Sequence, residues 1–193
     1  SVGLVGSEMC IRDRFSIDKI EEIKIELSRY IKEVTPNVPD HHIFYENKDD
    51  KTSIKQLQQM FTYDDYFKEL IENSPIREVA EIVLREKAEP KNLQFFNKPP
   101  GIGKPTPPHQ DGYYFMLKKH NAVTCWLALE KVDEENGCIH YVKGSHKSEY
   151  RPHGRSNVLG FSQGITDFGN EEDKKNTVSF PGEPGTFLIH NAK

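Results

Sequence analysis

Apolar residues recur at helical spacing up to about residue 88, then give way to short β-forming runs separated by proline and glycine. That order of textures constrains the fold more than any other feature of the chain. Helices first and strands afterwards argue for an α+β domain. A parallel doubly wound sheet needs strand and helix to alternate, and they do not. No G-x-G-x-x-G run opens a helix, and GIGKP at 101–105 lacks the phosphate-loop pattern.

Residues 16–34 read as an amphipathic helix. Ser16 caps it, Ile17, Ile20, Ile23, Leu27, Tyr30, Ile31 and Val34 fall at helical spacing, and Pro36 and Pro39 stop it. The polar run 40–53 reads as a loop or hairpin. A second helix is expected over 54–71, with Ile54, Leu57, Met60, Phe61, Phe67 and Leu70 on its inner side. A third is expected from the Ser74-Pro75 start signal to about Ala88. Beyond it, Leu93–Phe96 reads as a short strand and the proline-rich stretch 98–108 as irregular. Strands are expected at 111–118, 121–130, Cys138–Val142, 177–180 and 185–191, with a turn at Asn136-Gly137. The polar segment 144–176 between them reads as a long functional loop such as a lid.

A length of 193 residues suffices for one sizeable core, so 15–193 is read as a single domain. The formal net charge of -4 leaves no basic excess to neutralise phosphates, which argues against a nucleic-acid partner. No apolar run approaches the ~20 residues of a membrane span. Cys10, Cys125 and Cys138 are an odd set without paired spacing. Buried thiols and a reducing, cytoplasmic setting are expected. The opening SVGLVGSEMCIRDR resembles translated sequencing-adapter read-through, so residues 1–14 are set aside from fold reasoning as non-native. The closing GTFLIHNAK stops within an expected strand, so a fragment cut at both ends is expected.

The chemistry concentrates in Pro107-Pro108-His109-Gln110-Asp111-Gly112. On an extended chain, residues two apart project from the same face, so His109 and Asp111 can reach one ion. One imidazole and one carboxylate, completed by a second imidazole, make the facial triad of non-haem iron(II) oxygenases. A lone H-x-D is a weak signal that more often marks a surface turn. Here a proline-rich loop leads into it, and a tryptophan-bearing strand and an E-N-G turn follow.

The runs HQDGYYF, TCWLALEKVDEENGCIHYVKGSH and PGEPGTFLIHNA resemble the core of the phytanoyl-CoA dioxygenase family. The likeness extends from about Ile54 to Lys193. It implies a double-stranded β-helix, a jelly-roll or cupin-like barrel, with N-terminal helices packed on one side and an incomplete C-terminal end. It implies iron(II) as metal, 2-oxoglutarate as co-substrate, and O2. The implied reaction hydroxylates an unactivated C–H bond of a small organic or acyl substrate and releases succinate and CO2. By position, Lys55, Gln94 and Trp126 match residues that contact or flank 2-oxoglutarate. With Asp111 present, hydroxylation is favoured over halogenation, because related halogenases carry a small residue there. Lys98, Lys104, Lys118 and Lys119 are weighed as contacts for an anionic substrate, and His153 as a substrate contact. Solvation is the plainer reading for the lysines.

Three departures from the family pattern matter. Lys143 stands where the closure usually has proline, and Glu183-Pro184-Gly185-Thr186 replaces a G-D turn. The third metal ligand and the arginine for the far carboxylate of 2-oxoglutarate are expected beyond Lys193, which makes the fragment itself inactive. His190, the one late histidine, is the alternative ligand. Two other classes stay open: a cupin-type metal enzyme that does not use 2-oxoglutarate, and a non-catalytic barrel that binds without chemistry.

Overall fold

The computed structural model describes residues 2–5, 8–11, 15–117 and 121–193, with side chains from Phe15 onward. Lys118, Lys119 and His120 lie outside the described residues, as does the end of the strand expected at 111–118. The chain divides into two compact units, Asp18–Lys104 and a second that joins residues 1–17 to Pro105–Lys193.

Two short strands come first, β1 (Val2–Val5) and β2 (Glu8–Ile11), paired antiparallel in a segment that sequence reasoning set aside. The helix α1 follows at Ile17–Arg29, with Ile20, Ile23 and Leu27 buried as their spacing requires. A single π-turn (Tyr30–Val34) and a 3-10 turn containing Pro36 close it. Tyr30 is buried edge-on against Phe67, with ring centroids 5.4 Å apart.

The unit Asp18–Lys104 then builds a three-stranded antiparallel sheet, β3 (Ile43–Tyr45), β4 (Ile54–Leu57) and β5 (Phe95–Phe96), with β4 in the middle. This corrects the helix expected over 54–71. The spacing of Ile54, Leu57 and Met60 suits a helix. However, all four residues of β4 are buried, as a strand flanked on both edges must be. Helix resumes only after Gln59, whose φ of 55° turns the chain into α2 (Met60–Tyr63) and then α3 (Asp65–Glu72). Asp64 caps α3 by accepting from the N–H groups of Tyr66 and Phe67. The helix α4 (Pro75–Leu84) starts on the Ser74-Pro75 signal as expected but ends four residues short of Ala88, at Arg85 with φ 57°.

Residues 98–108, of which 98–104 belong to the first unit and 105–108 to the second, are irregular, as expected. Residues 111–115 are not a strand but a short helix, α5 (Asp111–Phe115). Aromatic residues favour strands, yet here their partners lie elsewhere in the fold and set the local backbone. Four further strands follow: β6 (Val123–Leu127), β7 (Ile139–Val142), β8 (His153–Arg155) and β9 (Gln163–Ile165). The helix α6 (Glu171–Asn176), β10 (Thr177–Phe180) and β11 (Phe187–Asn191) complete the unit. The segment 144–176 is therefore not a structureless loop. It holds a 3-10 turn, the β8–β9 hairpin and α6.

One antiparallel sheet runs β1-β2-β11-β6, and a second ladder pairs β10 with β7. Phe187, Leu188 and Ile189 are at most 1% exposed, so β11 is covered on both faces. Gly137, at φ +88°, makes the tight turn expected at Asn136-Gly137. Cys125 is half-buried and Cys138 buried, neither in a disulfide. Burial pushes the Cys125 thiol up to about 12, so it is inert as a thiol. Among the described residues, no helix is long and apolar enough to cross a membrane.

Candidate functional site

His109 and Asp111 meet as expected, although no strand carries them. Gln110 between them is extended (φ -118°, ψ 121°), which is enough to turn its two neighbours to one side. His109 Nε2 lies 3.2 Å from Asp111 Oδ1. The ring's other nitrogen, Nδ1, lies 2.8 Å from the carbonyl of Pro107. A carbonyl only accepts, so Nδ1 carries the hydrogen and Nε2 presents a lone pair. That lone pair faces a carboxylate oxygen. Two electron-rich atoms this close require a shared cation, either a proton or a metal ion.

Electrostatics agree. Burial opposes charge on His109, but the hydrogen bond and charge of Asp111 outweigh it and hold the imidazole above its ordinary 6.5. Burial likewise opposes charge on Asp111. The hydrogen bonds and charges of His109 and His190 prevail and hold the carboxyl far below its ordinary 3.8.

His190 comes to the site from β11. Its Nε2 lies 3.0 Å from Asp111 Oδ2, and its Nδ1 lies 2.6 Å from the Tyr141 hydroxyl. Thr124 donates its hydroxyl to the same Oδ2 from β6. The register explains this convergence: His190 pairs with Thr124 and Leu188 with Trp126, and paired residues share a face. Trp126, two residues from Thr124, therefore lies on the site's side of β6. Thr124 and Tyr141 went unnoticed in the sequence. Strand alternation placed Thr124 beside Trp126, but only the β6–β11 register joins it to Asp111.

His109's ring is enclosed by Tyr114 and Phe161, at centroid distances of 5.8 and 5.2 Å. Gly112 permits a close approach on the other side. A Cβ there would sit 2.0 Å from the Tyr150 hydroxyl and 3.1 Å from the carbonyl of Ala192. The Gly112 N–H donates to that same carbonyl at 2.7 Å, which ties the ligand loop to the end of β11.

Lys55 and Gln94 belong to the other unit. Lys55 lies on β4 rather than on a helix. Its ammonium pairs with Glu46 at 2.8 Å, both side chains being 5% exposed or less. Gln94 Oε1 accepts from Gln56 Nε2 at 2.9 Å and from Asn92 Nδ2 at 3.0 Å. A separate group, Glu134, Cys138 and His140, also brings three potential ligand atoms within 4.8 Å of one another. Its glutamate and histidine are exposed and already pair with each other at 3.0 Å, so a solvated pair beside a buried thiol accounts for it.

Comparison with known proteins bears on this geometry. The family model for phytanoyl-CoA dioxygenase matches residues 9–193. The peroxisomal phytanoyl-CoA dioxygenase of Mus musculus is 35% identical over 107 residues, covering 50% of this chain and 32% of the mouse protein. Phytanoyl-CoA dioxygenase domain-containing protein 1 of Danio rerio is 29% identical over 138 residues, 68% of this chain and 46% of that protein. The chain thus matches between a third and a half of the length of these relatives. Among solved structures, EctD from S. alaskensis with 2-oxoglutarate and 5-hydroxyectoine superposes with a TM-score of 0.77 at 14% identity, over 97% of this chain and 64% of that one. The α-ketoglutarate-dependent carbocyclase SnoK gives 0.75 at 17% identity, over 97% of this chain and 70% of that one. At such identities these likenesses concern the fold.

Proposed function

This chain belongs to the phytanoyl-CoA dioxygenase family, and from that premise we propose that it forms the iron-binding core of a 2-oxoglutarate-dependent dioxygenase. The observation that carries the reading is the His109 lone pair, fixed by the Pro107 carbonyl and held 3.2 Å from the Asp111 carboxylate. Nitrogen and oxygen donors in this combination suit iron(II). His109 and Asp111 would hold the ion.

When bound, iron(II) and 2-oxoglutarate supply the activation of O2 that hydroxylates an unactivated C–H bond, with release of succinate and CO2. The substrate class is a small organic or acyl molecule. The chain's own residues fix and shelter the site. Thr124 and His190 hold Asp111 at Oδ2 and leave Oδ1 for the metal. Tyr114 and Phe161 pack against the His109 ring and limit the water that reaches it. Trp126 is assigned to 2-oxoglutarate on the strength of the resemblance, whereas Lys55 is committed to Glu46 and Gln94 to Gln56 and Asn92. The antiparallel sheets of the second unit are read as parts of a double-stranded β-helix.

We propose a third ligand other than His190 and give His190 the task of orienting Asp111: the Tyr141 hydroxyl, unlike the Pro107 carbonyl, can donate to the ring's Nδ1, which lets Nε2 carry the hydrogen that Asp111 accepts. In the full-length protein, His109→Ala and Asp111→Ala are expected to weaken iron(II) binding by at least ~100-fold and to abolish 2-oxoglutarate-dependent succinate formation. Succinate formation that survived either change would sink the reading. His190→Phe separates the two roles for that residue: a loss equal to His109→Ala marks a ligand, and a loss of about ten-fold marks an orienting group.

A further inference from the structure

By sequence, 144–176 reads as a functional loop such as a lid, and His153 within it is only weighed as a substrate contact. The structure joins both to the metal pair instead. The main-chain N–H of Gln110, the residue between the two ligands, donates to His153 Nε2 at 3.2 Å. His153 Nδ1 lies 2.8 Å from the Arg151 carbonyl. A backbone N–H only donates and a carbonyl only accepts, so one neutral tautomer, with its hydrogen on Nδ1, satisfies both bonds. The ring is held flat on Tyr113, with centroids 4.0 Å apart and planes 11° from parallel.

The surrounding segment is anchored at several points. The Gln110 side chain, itself only 7% exposed, accepts from the Arg151 N–H at 2.8 Å. Arg151 is gripped in turn by Asp173 at 2.7 Å and Asp167 at 3.0 Å. On the far strand of the hairpin, the Ile165 N–H donates to the Pro108 carbonyl at 2.8 Å. Gly164 lies so close that a Cβ there would meet Pro107 at 3.2 Å and the Pro108 carbonyl at 3.3 Å. Tyr114 donates its hydroxyl to the Gln163 carbonyl. The ligand loop is thus gripped on both sides of His109 and again at Gln110. A rotation of the Gln110 peptide would swing His109 or Asp111 away from its partner, and the His153 ring opposes that rotation.

We propose that His153 is a positioning residue for the His109–Asp111 pair, acting through the main-chain N–H of Gln110. The hairpin β8–β9 is a brace for the metal loop rather than a cover for the substrate. This inference rests on the metal-binding function proposed above.

The test uses the full-length protein and Co(II) as a spectroscopic probe. His153→Phe keeps a flat ring to stack on Tyr113 but removes the acceptor. His153→Gln removes the ring and returns an oxygen acceptor near the former Nε2. His153→Phe is expected to bind Co(II) about ten-fold more weakly than the unaltered protein, and His153→Gln to recover most of that loss. Equal Co(II) affinity in His153→Phe overturns the proposal. So does a His153→Gln variant as weak as His153→Phe. A second measurement does not depend on the variants folding: the unaltered, nitrogen-15-labelled protein should show scalar coupling between the Gln110 amide nitrogen and His153 Nε2. Its absence overturns the proposal by itself. Failure of the unaltered protein to bind Co(II) defeats the metal function first and this inference with it.

Discussion

Each unit of the molecule contains a sequestered carboxylate, and the two are satisfied in different ways. Glu46 is held by Lys55 at 2.8 Å and by the Lys104 N–H at 3.3 Å, with its side chain 5% exposed. Asp111 is held by His109 and His190, one imidazole on each oxygen, and by Thr124. A lysine ammonium only donates hydrogens. An imidazole nitrogen can hold a hydrogen or take a metal ion in its place. The comparison separates a structural ion pair from a site: both are charged and enclosed, but only one has a replaceable cation.

The largest expected effect falls on the permanent pair. Lys55→Met leaves Glu46 enclosed without its counter-charge and should cost about 3–5 kcal/mol in denaturant unfolding. The double change with Glu46→Leu should recover much of that cost. Asp111→Asn in metal-free protein should cost clearly less, because the His109 imidazole, whose charged form Asp111 supports, can then become neutral. Equal losses in the two would erase the distinction.

A steric test of the second region comes next. Gly112→Ala places a methyl group 2.0 Å from the Tyr150 hydroxyl and should destabilise by about 1–3 kcal/mol, with weaker metal binding, because the ligand loop must shift. Unaltered thermal stability and metal affinity would show that the loop is looser than this packing implies.

The pH response sharpens the contrast. The His109 pKa is raised from 6.5, so its ion pair stabilises metal-free protein below that value and is lost as pH climbs through the raised one. The Asp111 pKa is depressed from 3.8, so its contribution is present above that value and lost as pH falls through the lower one. Metal-free stability from the pair is therefore full between about pH 4 and 6.5. Metal binding must displace the His109 proton, so affinity should rise with pH across that group's titration and then level off. Titrations at stepped pH check this, and a flat profile would deny that His109 is a ligand. The smallest effect is expected at the exposed Glu134–His140 pair, where His140→Ala should leave both thermal stability and iron binding unchanged.

Much of the site was legible because its signal is local. His109 and Asp111 are two residues apart, and one extended residue between them suffices to bring them together. The same locality exposed the cap of α4 and the Asn136-Gly137 turn. Non-local features were read less well. Residues 54–57 suit a helix by spacing, and the partners β3 and β5 made them a strand. Residues 111–115 suit a strand by their aromatic content, and contacts with His153 and Gln163 accompany a helical turn instead. The segment 144–176 looked structureless because its order comes from a hairpin docked on the ligand loop.

By itself, the amino-acid sequence determined which donors are available to a metal, their spacing, and the succession of helical and β-forming stretches, since these depend on neighbours along the chain. The tertiary structure alone decided that His190 and Thr124 reach Asp111, that Lys55 is spent on Glu46, and that His153 stands behind Gln110. Each of those contacts joins residues far apart in the chain, and strand register and packing, rather than local preference, select such partners.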